Sequence, residues 1–308
     1  MYLDYYLELL NYSNIPKFLI KYLEVPSLIR LKKVGYFCGM DYASKDIYDF
    51  REYISRFDHS LSVALLTYMF TNDKKSTIAA LFHDIATPCF SHVIDYMNKD
   101  YEKQESTEEY TEFILSSDDY LRSCLEEDDI LIEDIINFKK YSIVDNDRPK
   151  VCADRIDGVI LTGIGWTKNI TKLDIKNILR DMCVFKNEFG EEELGFKTYS
   201  IYCKVLEVSN SIDYMCHSVE DNYMMDLLAK ITKRAIELGV INYEQLFIYN
   251  EEELFSLFNK IDDEVLKVDI NKFKGIKKEE VPVISIPSVK VRDLNPLVGG
   301  LRLKDIIN

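Results

Sequence analysis

The chain has 308 residues, of which 47% are hydrophobic and 30% charged, a composition that is typical of a globular protein and excludes a disordered one. Its 38 basic and 53 acidic residues give a net charge of -15, which argues against general binding to nucleic-acid backbones. A local basic pocket could still bind a small anion. The N-terminal segment Met1-Tyr-Leu-Asp-Tyr lacks the basic and apolar regions of a signal peptide, and no apolar stretch is long enough to span a bilayer. The seven cysteines include no C-x-x-C pair and predict reduced thiols in a cytoplasmic protein.

Helical periodicity runs through most of the chain. Leu61, Ala64, Leu65 and Tyr68 follow the i, i+3, i+4, i+7 spacing of an amphipathic helix. A second helix is predicted from residue 76 up to His83. Further helices are predicted over residues 105–115, after Pro149, over 224–238 up to a glycine, and over 243–257.

The C-terminal part has a different pattern. Residues 281–292 are rich in β-branched side chains and interrupted by prolines, which predicts one or two edge strands. Residues 272–280 are rich in charge and predict a solvated connector. The predicted fold is therefore all-α, a mostly helical bundle with a small C-terminal β element. Residues 1–200 are expected to form a helical core, and residues 201–308 a helical region that ends in short strands and packs on it.

The histidines point to a metal site. The chain has four, and three of them (His59, His83 and His92) lie within residues 56–95. His59, the pair His83-Asp84 and Asp154 form an H…HD…D pattern, and imidazole with carboxylate suits a divalent metal such as Fe, Mn, Zn, Ni or Mg. Neighbouring helical residues point about 100° apart, so His83 and Asp84 can share an ion only at a helix end or in a cleft. Any one of these histidines alone is more often structural, whereas the joint pattern is specific.

The motifs around these residues extend the pattern over nearly the whole chain. They resemble those of the dGTP/dNTP triphosphohydrolase-like branch of the HD superfamily of metal-dependent phosphohydrolases. The resemblance implies a helical HD domain and a metal held by His59, His83, Asp84 and Asp154. The matching segments are Arg56-Phe-Asp-His59-Ser-Leu, His83-Asp-Ile-Ala-Thr-Pro-Cys-Phe-Ser-His92-Val-Ile-Asp95, Ala153-Asp154-Arg155-Ile-Asp157 and Val291-Arg-Asp-Leu-Asn-Pro-Leu-Val.

Several positions depart from the family pattern. Two family histidines of the acid/base apparatus fall on Thr87 and Gln104. The tyrosine that follows the second aspartate of the V-D-[KR]-x-D motif becomes Gly158, and an aspartate four positions further becomes Thr162. The glutamine near the base-recognition helix aligns loosely with Tyr36. The metal ligands are thus kept while the dNTP-specific surroundings change.

The remaining histidine near the pattern is the candidate for proton transfer. His92 titrates near neutrality and could act as a general acid or orient a water, and Asp95, one helical turn later, could orient its imidazole. A packed, hydrogen-bonded structural role is the alternative for His92. His217 lies outside the pattern and is predicted to be structural.

Two arginines and an aromatic residue are candidates for substrate binding. Arg56 and Arg155 could bind phosphate oxygens through their planar guanidinium groups, or could instead pair with Asp58 or Asp157. Asp157 is expected to support the site from behind the ligands, or simply to balance local charge. Tyr36 could stack on a nucleobase, although most aromatic residues belong to a core.

The predicted function is hydrolysis of a nucleotide or related phosphate ester with a divalent metal, by a homo-oligomeric enzyme that needs no nucleic acid or membrane partner. The oligomer is implied by the resemblance alone. A metal of this kind lowers the pKa of a bound water and polarises a phosphoryl oxygen. The alternative is a non-catalytic module that binds metal and nucleotide as a sensor or assembly protein, which the changes at Thr87 and Gln104 favour.

Overall fold

A computed structural model describes residues 1–102, 104, 110–286 and 289–303 of the chain. The predicted all-α fold with a small C-terminal β element is confirmed. In chain order the helices are α1 (Tyr2–Leu9), α2 (Lys17–Ile20), α3 (Pro26–Arg30), α4 (Arg56–Thr71), α5 (Lys74–Phe82), α6 (Val93–Asn98), α7 (Thr111–Ser117), α8 (Asp119–Glu127), α9 (Ile132–Ile136), α10 (Ala153–Gly165), α11 (Lys172–Asp181), α12 (Tyr199–Cys216), α13 (Val219–Glu237), α14 (Glu251–Phe258) and α15 (Glu264–Gly275). The strands are β1 (Met182–Lys186), β2 (Glu192–Phe196), β3 (Leu297–Val298) and β4 (Leu301–Arg302).

Helix α4 forms the centre of the first core. Its start is set by a capping box, in which the Ser55 amide donates to Asp58 Oδ2 at 2.8 Å and the Asp58 amide donates to Ser55 Oγ at 3.1 Å. Helices α5 and α10 both pack against α4. Nearly every α4 residue from Arg56 to Thr67 is therefore buried, and the helix is less amphipathic than its sequence spacing suggests.

Local hydrogen bonds move several predicted helix boundaries. The second helix begins at Lys74 because Asp73 caps it, with Asp73 Oδ2 accepting from the Ser76 amide at 2.7 Å. The helix after Pro149 begins only at Ala153. The helix predicted from residue 224 begins at Val219 and ends, as predicted, just before a glycine with a left-handed φ of 69°.

Two other helix predictions are corrected. The single helix predicted over residues 243–257 is wrong, because a 3-10 turn over Glu244–Phe247 is followed by a new helix that Asn250 caps. In the region predicted as helix over 105–115, residues 105–109 lie outside the described residues, and α7 begins at Thr111. The connector predicted over 272–280 starts inside α15.

The sheet differs from the predicted edge strands. The described part of residues 281–292 contains no strand, so that prediction is wrong in its position. Strands β1 and β2 form an antiparallel hairpin that the sequence reading missed, and β3 joins β2 in parallel through Gly195 and Leu297. A Cβ at residue 195 would lie 2.7 Å from the Leu297 carbonyl oxygen, so this close strand approach requires glycine.

Two clusters of buried apolar side chains make up the interior. The first contains residues from α1, α4, α5, α10, α11 and α12, and the second contains residues from α6, α13, α14 and α15 together with Met40 and Tyr48. The first cluster extends to Leu294 and the second starts at Met40, so the two interleave along the chain. The division near residue 200 stays a prediction. In the described parts of the chain no helix is both long and apolar enough to cross a membrane. All seven cysteines are free thiols.

A buried pair of carboxyl groups next to Gly35 makes stability depend on pH. A Cβ at residue 35 would lie 2.7 Å from Asp41 Oδ2 and 3.0 Å from Glu251 Oε2, so both groups lie over the same backbone position. Burial, together with the charge of Asp41, raises the pKa of Glu251 from 4.5 to about 8. Burial also raises the pKa of Asp41 to about 6.

We expect Glu251→Gln to stabilise the protein increasingly as pH rises. A carboxyl group with a raised folded-state pKa contributes stability below its unfolded pKa and loses that contribution as pH rises to the folded pKa. The window here is pH 4.5 to 8, and the gain at pH 8 should be on the order of 1–3 kcal/mol. Urea unfolding at pH 5 and pH 8 measures it. Glu252→Gln, one residue away and exposed, is the control, and equal effects of both substitutions at both pH values would contradict the prediction.

Candidate metal centre

His59 lies on the first turns of α4 and is oriented by a buried carboxylate. His59 Nδ1 donates to Asp157 Oδ2 at 2.7 Å, and the other oxygen of Asp157 accepts from the Tyr6 hydroxyl at 2.6 Å. Asp157 is fully buried. A carboxylate that accepts from Nδ1 leaves Nε2 as the free ligand atom of the ring. Asp157 thus fixes the His59 ring and is itself held by Tyr6, a residue that was not a candidate from the sequence. Its support of a metal site stays a prediction.

His83 follows α5 directly and is oriented by the helix it leaves. Its Nδ1 lies 2.7 Å from the Ala80 carbonyl oxygen, which can only accept, so Nδ1 carries the proton. The buried Nε2 of His83 has no hydrogen-bond partner among the described residues. A buried nitrogen of this kind is costly unless something else satisfies it.

Asp154 brings the two imidazoles together. Its Oδ1 lies 3.1 Å from Nε2 of His59 and 3.5 Å from Nε2 of His83. The ligand atoms of His59, His83 and Asp154 all lie within 4.8 Å of one another, a group that could hold a metal ion. Three helices contribute to it, since Asp154 lies in the first turn of α10.

Asp84 lies beside this group and outside its compact core. Its oxygens are 3.7 Å from Nε2 of His59 and 3.8 Å from Nε2 of His83. Arg56 donates to Asp84 Oδ2 at 2.9 Å, and this is the oxygen that approaches His59, whereas Oδ1 approaches His83. Asp84 as a fourth ligand therefore stays a prediction.

The chemistry of these groups fits a divalent cation. Burial would lower the pKa of His59, but hydrogen bonds with Asp154 and Asp157 and the charge of Asp84 raise it to about 10. Burial opposes ionisation of Asp154, yet its close polar contacts with His59 and His83 hold its pKa well below the usual value. The negative charges that favour protonated imidazoles at this point also favour a divalent cation there.

A second possible group shares Asp154 but suits a cation less well. It consists of Asp145, Cys152 and Asp154. Arg155 already pairs with Asp145 Oδ1 at 3.0 Å. Burial raises the pKa of the Cys152 thiol, which therefore stays protonated near neutrality. Only the His59 group combines free nitrogen atoms with a carboxylate.

The histidine group opens into a large cavity of about 800 Å³. The cavity lies between the two apolar clusters, since Phe37 and Val159 of the first and Met40 and Met225 of the second both line it. This volume is in the range of pockets that bind small molecules. The metal group thus faces a space that can hold a substrate.

His92 also lines this cavity and is held by Asp95. Its Nδ1 lies 2.9 Å from Asp95 Oδ2, which makes Nε2 the proton-accepting nitrogen of the neutral ring. Burial lowers the pKa of His92, Asp95 opposes this, and the charges of Arg292 and Arg56 lower it further. The neutral form is therefore favoured near pH 7, which suits proton acceptance better than donation. Its catalytic role stays a prediction.

Both predicted phosphate-binding arginines already have protein partners. Arg56 pairs with Asp84, neither of the partners considered from the sequence, and its Nε donates to Ser91 Oγ at 3.2 Å. Arg155 pairs with Asp145 and donates to the Lys150 carbonyl oxygen at 2.5 Å. Both line the cavity, but their charges are largely balanced.

Tyr36 packs against the metal group. Its ring lies 5.1 Å from that of His59, and the Arg56 guanidinium lies 4.9 Å from the ring centroid. A Cβ at residue 158 would lie 3.1 Å from the Tyr36 hydroxyl, so Tyr36 fills space that a side chain at Gly158 would need. Stacking of Tyr36 on a nucleobase stays a prediction.

Thr87 and Gln104, which replace the two family histidines, have different surroundings. Thr87 is fully buried, and its Oγ1 has no partner among the described residues. Gln104 lines the cavity and accepts from Arg292 Nη2 at 3.1 Å. Neither can transfer a proton near pH 7.

Several residues that line the cavity were not predicted from the sequence. Arg148, Arg292, Tyr96 and Asp221 line it although none was a candidate. Arg292 lies in a segment that carried the family resemblance, and that was its only signal. His217 donates from Nδ1 to the Asp213 carbonyl oxygen at 2.7 Å, in keeping with a structural residue.

Comparison with known proteins agrees with the site. A family model described as the HD domain matches residues 56–159. The chain is also similar to the uncharacterized protein YdhJ of Bacillus subtilis (strain 168), with 23% identity over 225 residues, covering 73% of this chain and 67% of that protein. Residues 56–159 thus match the HD domain, and this range includes all four predicted metal ligands.

Proposed function

We propose that this protein is a metal-dependent phosphohydrolase that acts on a nucleotide or a related phosphate ester. The observation that carries the proposal is the convergence of His59, His83 and Asp154 at the wall of a cavity of about 800 Å³. The match to the HD domain supports it. The surroundings of the site resemble those of dNTP triphosphohydrolases with altered catalytic and base-recognition residues.

The residues of this chain have distinct proposed tasks. His59, His83 and Asp154, with Asp84 beside them, hold the divalent ion, which supplies Lewis acidity at a phosphoryl oxygen. Asp157 and Ala80 fix the two imidazoles through Nδ1. Arg56 holds Asp84 in place. His92, fixed by Asp95, accepts a proton in the cavity.

Metal analysis followed by a substrate screen tests the proposal. Purified protein should contain about one divalent ion per chain. Protein loaded in turn with Mn, Fe, Ni, Zn and Mg should then be incubated with dNTPs, NTPs and nucleoside monophosphates, with phosphate-containing products detected by ³¹P NMR. Release that a chelator abolishes and re-added metal restores is the expected result. Full metal occupancy without release from any substrate would favour the second candidate.

The second candidate is a non-catalytic module that binds metal and nucleotide. The burial of Thr87 away from the cavity favours it, since no proton-transferring group occupies that position.

We also propose that the protein forms a homo-oligomer and that it needs no nucleic acid for its activity. Light scattering measures the first, and tight, salt-dependent binding to random duplex DNA would contradict the second.

A further inference from the structure

Two arginines in the cavity have no carboxylate within salt-bridge distance among the described residues, unlike four other basic residues that line it. Arg56, Lys140, Lys150 and Arg155 line the cavity, and each pairs with a carboxylate within 4.0 Å. Arg148 and Arg292 line it as well, and neither has a carboxylate within that distance among the described residues. Partly buried charges without a counter-ion are unfavourable and indicate an anionic ligand.

The contacts of the two guanidinium groups leave donors free. Arg148 Nη1 has one distant acceptor, the Asp293 carbonyl oxygen at 3.4 Å. Arg292 Nη2 donates to Gln104, while its buried Nε has no partner among the described residues. An arginine has five N–H donors, and the hydrogen bonds with described residues use only part of this capacity.

The two charges lie close enough to repel each other. Burial lowers the pKa of Arg148, and the charges of Arg292 and Arg155 lower it further, whereas Asp154 opposes this. Burial would lower the pKa of Arg292, but the ionised forms of Cys216, Cys38, Tyr36 and Asp221 raise it. Burial raises the pKa of Asp221 itself to about 7, so that this carboxyl group is only partly ionised near pH 7. Near pH 7 those thiols are neutral, since the pKa of Cys216 is about 12, so they do not balance the guanidinium charge. Arg148 and Asp154 line the same cavity.

The backbone holds both arginines in fixed positions. The Asn295 amide donates to the Pro149 carbonyl oxygen at 2.9 Å, which ties the two segments together. The Arg292 amide donates to Asp213 Oδ1 at 2.8 Å, on α12. Buried Glu193 accepts from the Val151 amide at 3.2 Å and pairs with Arg302 at 2.6 Å, which anchors the same region to the sheet. A rigid pair of this kind loses little entropy on binding.

We infer that Arg148 and Arg292 together bind a phosphate group of the substrate that is separate from the group at the metal ligands. The inference rests on the proposed function for the identity of the substrate, and it specifies a substrate with at least two linked phosphates. A guanidinium pair matches the oxygens and the charge of such a chain.

Binding of inorganic tripolyphosphate to metal-free full-length protein tests this without any catalysis. Calorimetry should show binding of tripolyphosphate that is much tighter than that of orthophosphate and weakens with salt. Arg148→Ala and Arg292→Ala should each reduce tripolyphosphate affinity about 10- to 100-fold. Arg148→Lys and Arg292→Lys should recover part of the loss, because they keep the charge without the fork. Arg180→Ala, an exposed arginine outside the cavity, is the matched control and should bind normally.

Thermal melting separates binding from a structural role. Tripolyphosphate should raise the Tm of the wild type and of Arg180→Ala, and should raise it little in the arginine-to-alanine variants. Variants with a lower Tm but an unchanged ligand-induced shift would overturn the inference, as would equal binding of orthophosphate and tripolyphosphate. Failure of hydrolysis with normal arginine-dependent binding would count against the proposed enzyme alone, while the binding itself would support the inference.

Discussion

Replacing Asp154 with alanine should remove the bound divalent ion from the protein. Asp154 Oδ1 is the carboxylate oxygen closest to both free imidazole nitrogens, at 3.1 Å and 3.5 Å. Loss of the Asp154 carboxylate leaves two neutral imidazole nitrogens as ligands and removes the negative charge that favours a cation. Altering a group behind the ligands already costs about 10- to 100-fold in metal affinity, so a lost ligand should cost more than about 100-fold. Mass spectrometry of the metal content after dialysis measures this.

Two comparisons sharpen this experiment. Asp147→Ala removes an exposed carboxylate that lines the same cavity and should keep its metal. Asp84→Ala should abolish binding if Asp84 is the fourth ligand, whereas retained metal would restrict the ligand set to the compact three-residue group. Unchanged metal content in Asp154→Ala itself would contradict the assignment of the centre.

Replacing His92 with alanine should lower kcat by about 10²- to 10⁴-fold while metal content stays normal, the range expected for loss of a general acid or base. His92 lines the cavity, and Asp95 fixes its Nδ1 so that Nε2 can accept a proton. Asp95→Asn should give a smaller loss in the same direction, because it weakens only the orientation and charge support of the ring. Steady-state kinetics on the substrate identified by the screen measures both.

The pH profile distinguishes this role from simple packing. A proton acceptor must be neutral, so the wild-type rate should fall as pH drops through the pKa of His92, which lies below its ordinary 6.5. At saturating metal, His92→Ala should have a lower rate than the wild type, and its rate should no longer fall as pH drops through this range, the acid limb of the pH profile. Full activity with normal metal would return His92 to the structural residues, and a low rate with an unchanged acid limb would show that another group titrates.

The sequence alone was enough to identify the residues of the candidate metal group. The H…HD…D pattern and its resemblance to the HD superfamily indicated His59, His83, Asp84 and Asp154, and the ligand atoms of three of them lie within 4.8 Å of one another. The helical class and the helix around Leu61 followed from helical periodicity. Helical periodicity is a local pattern, because the backbone preference of a segment depends mainly on residues that are close to it in sequence.

Only the tertiary structure decided which groups neutralise one another. Arg56 pairs with Asp84 and Arg155 with Asp145. Arg148 and Arg292, far apart in sequence, line the same cavity without a carboxylate within 4.0 Å in the part of the chain that the structure describes. Charge balance depends on distances of a few ångströms between segments that no sequence spacing specifies. The parallel pairing of β2 with β3 could not be predicted from the sequence either. It requires Gly195 to lie close to Leu297, about one hundred residues later in the chain. The sequence therefore indicated where a metal would bind, and the packing of distant segments determined which charges remain available to a substrate.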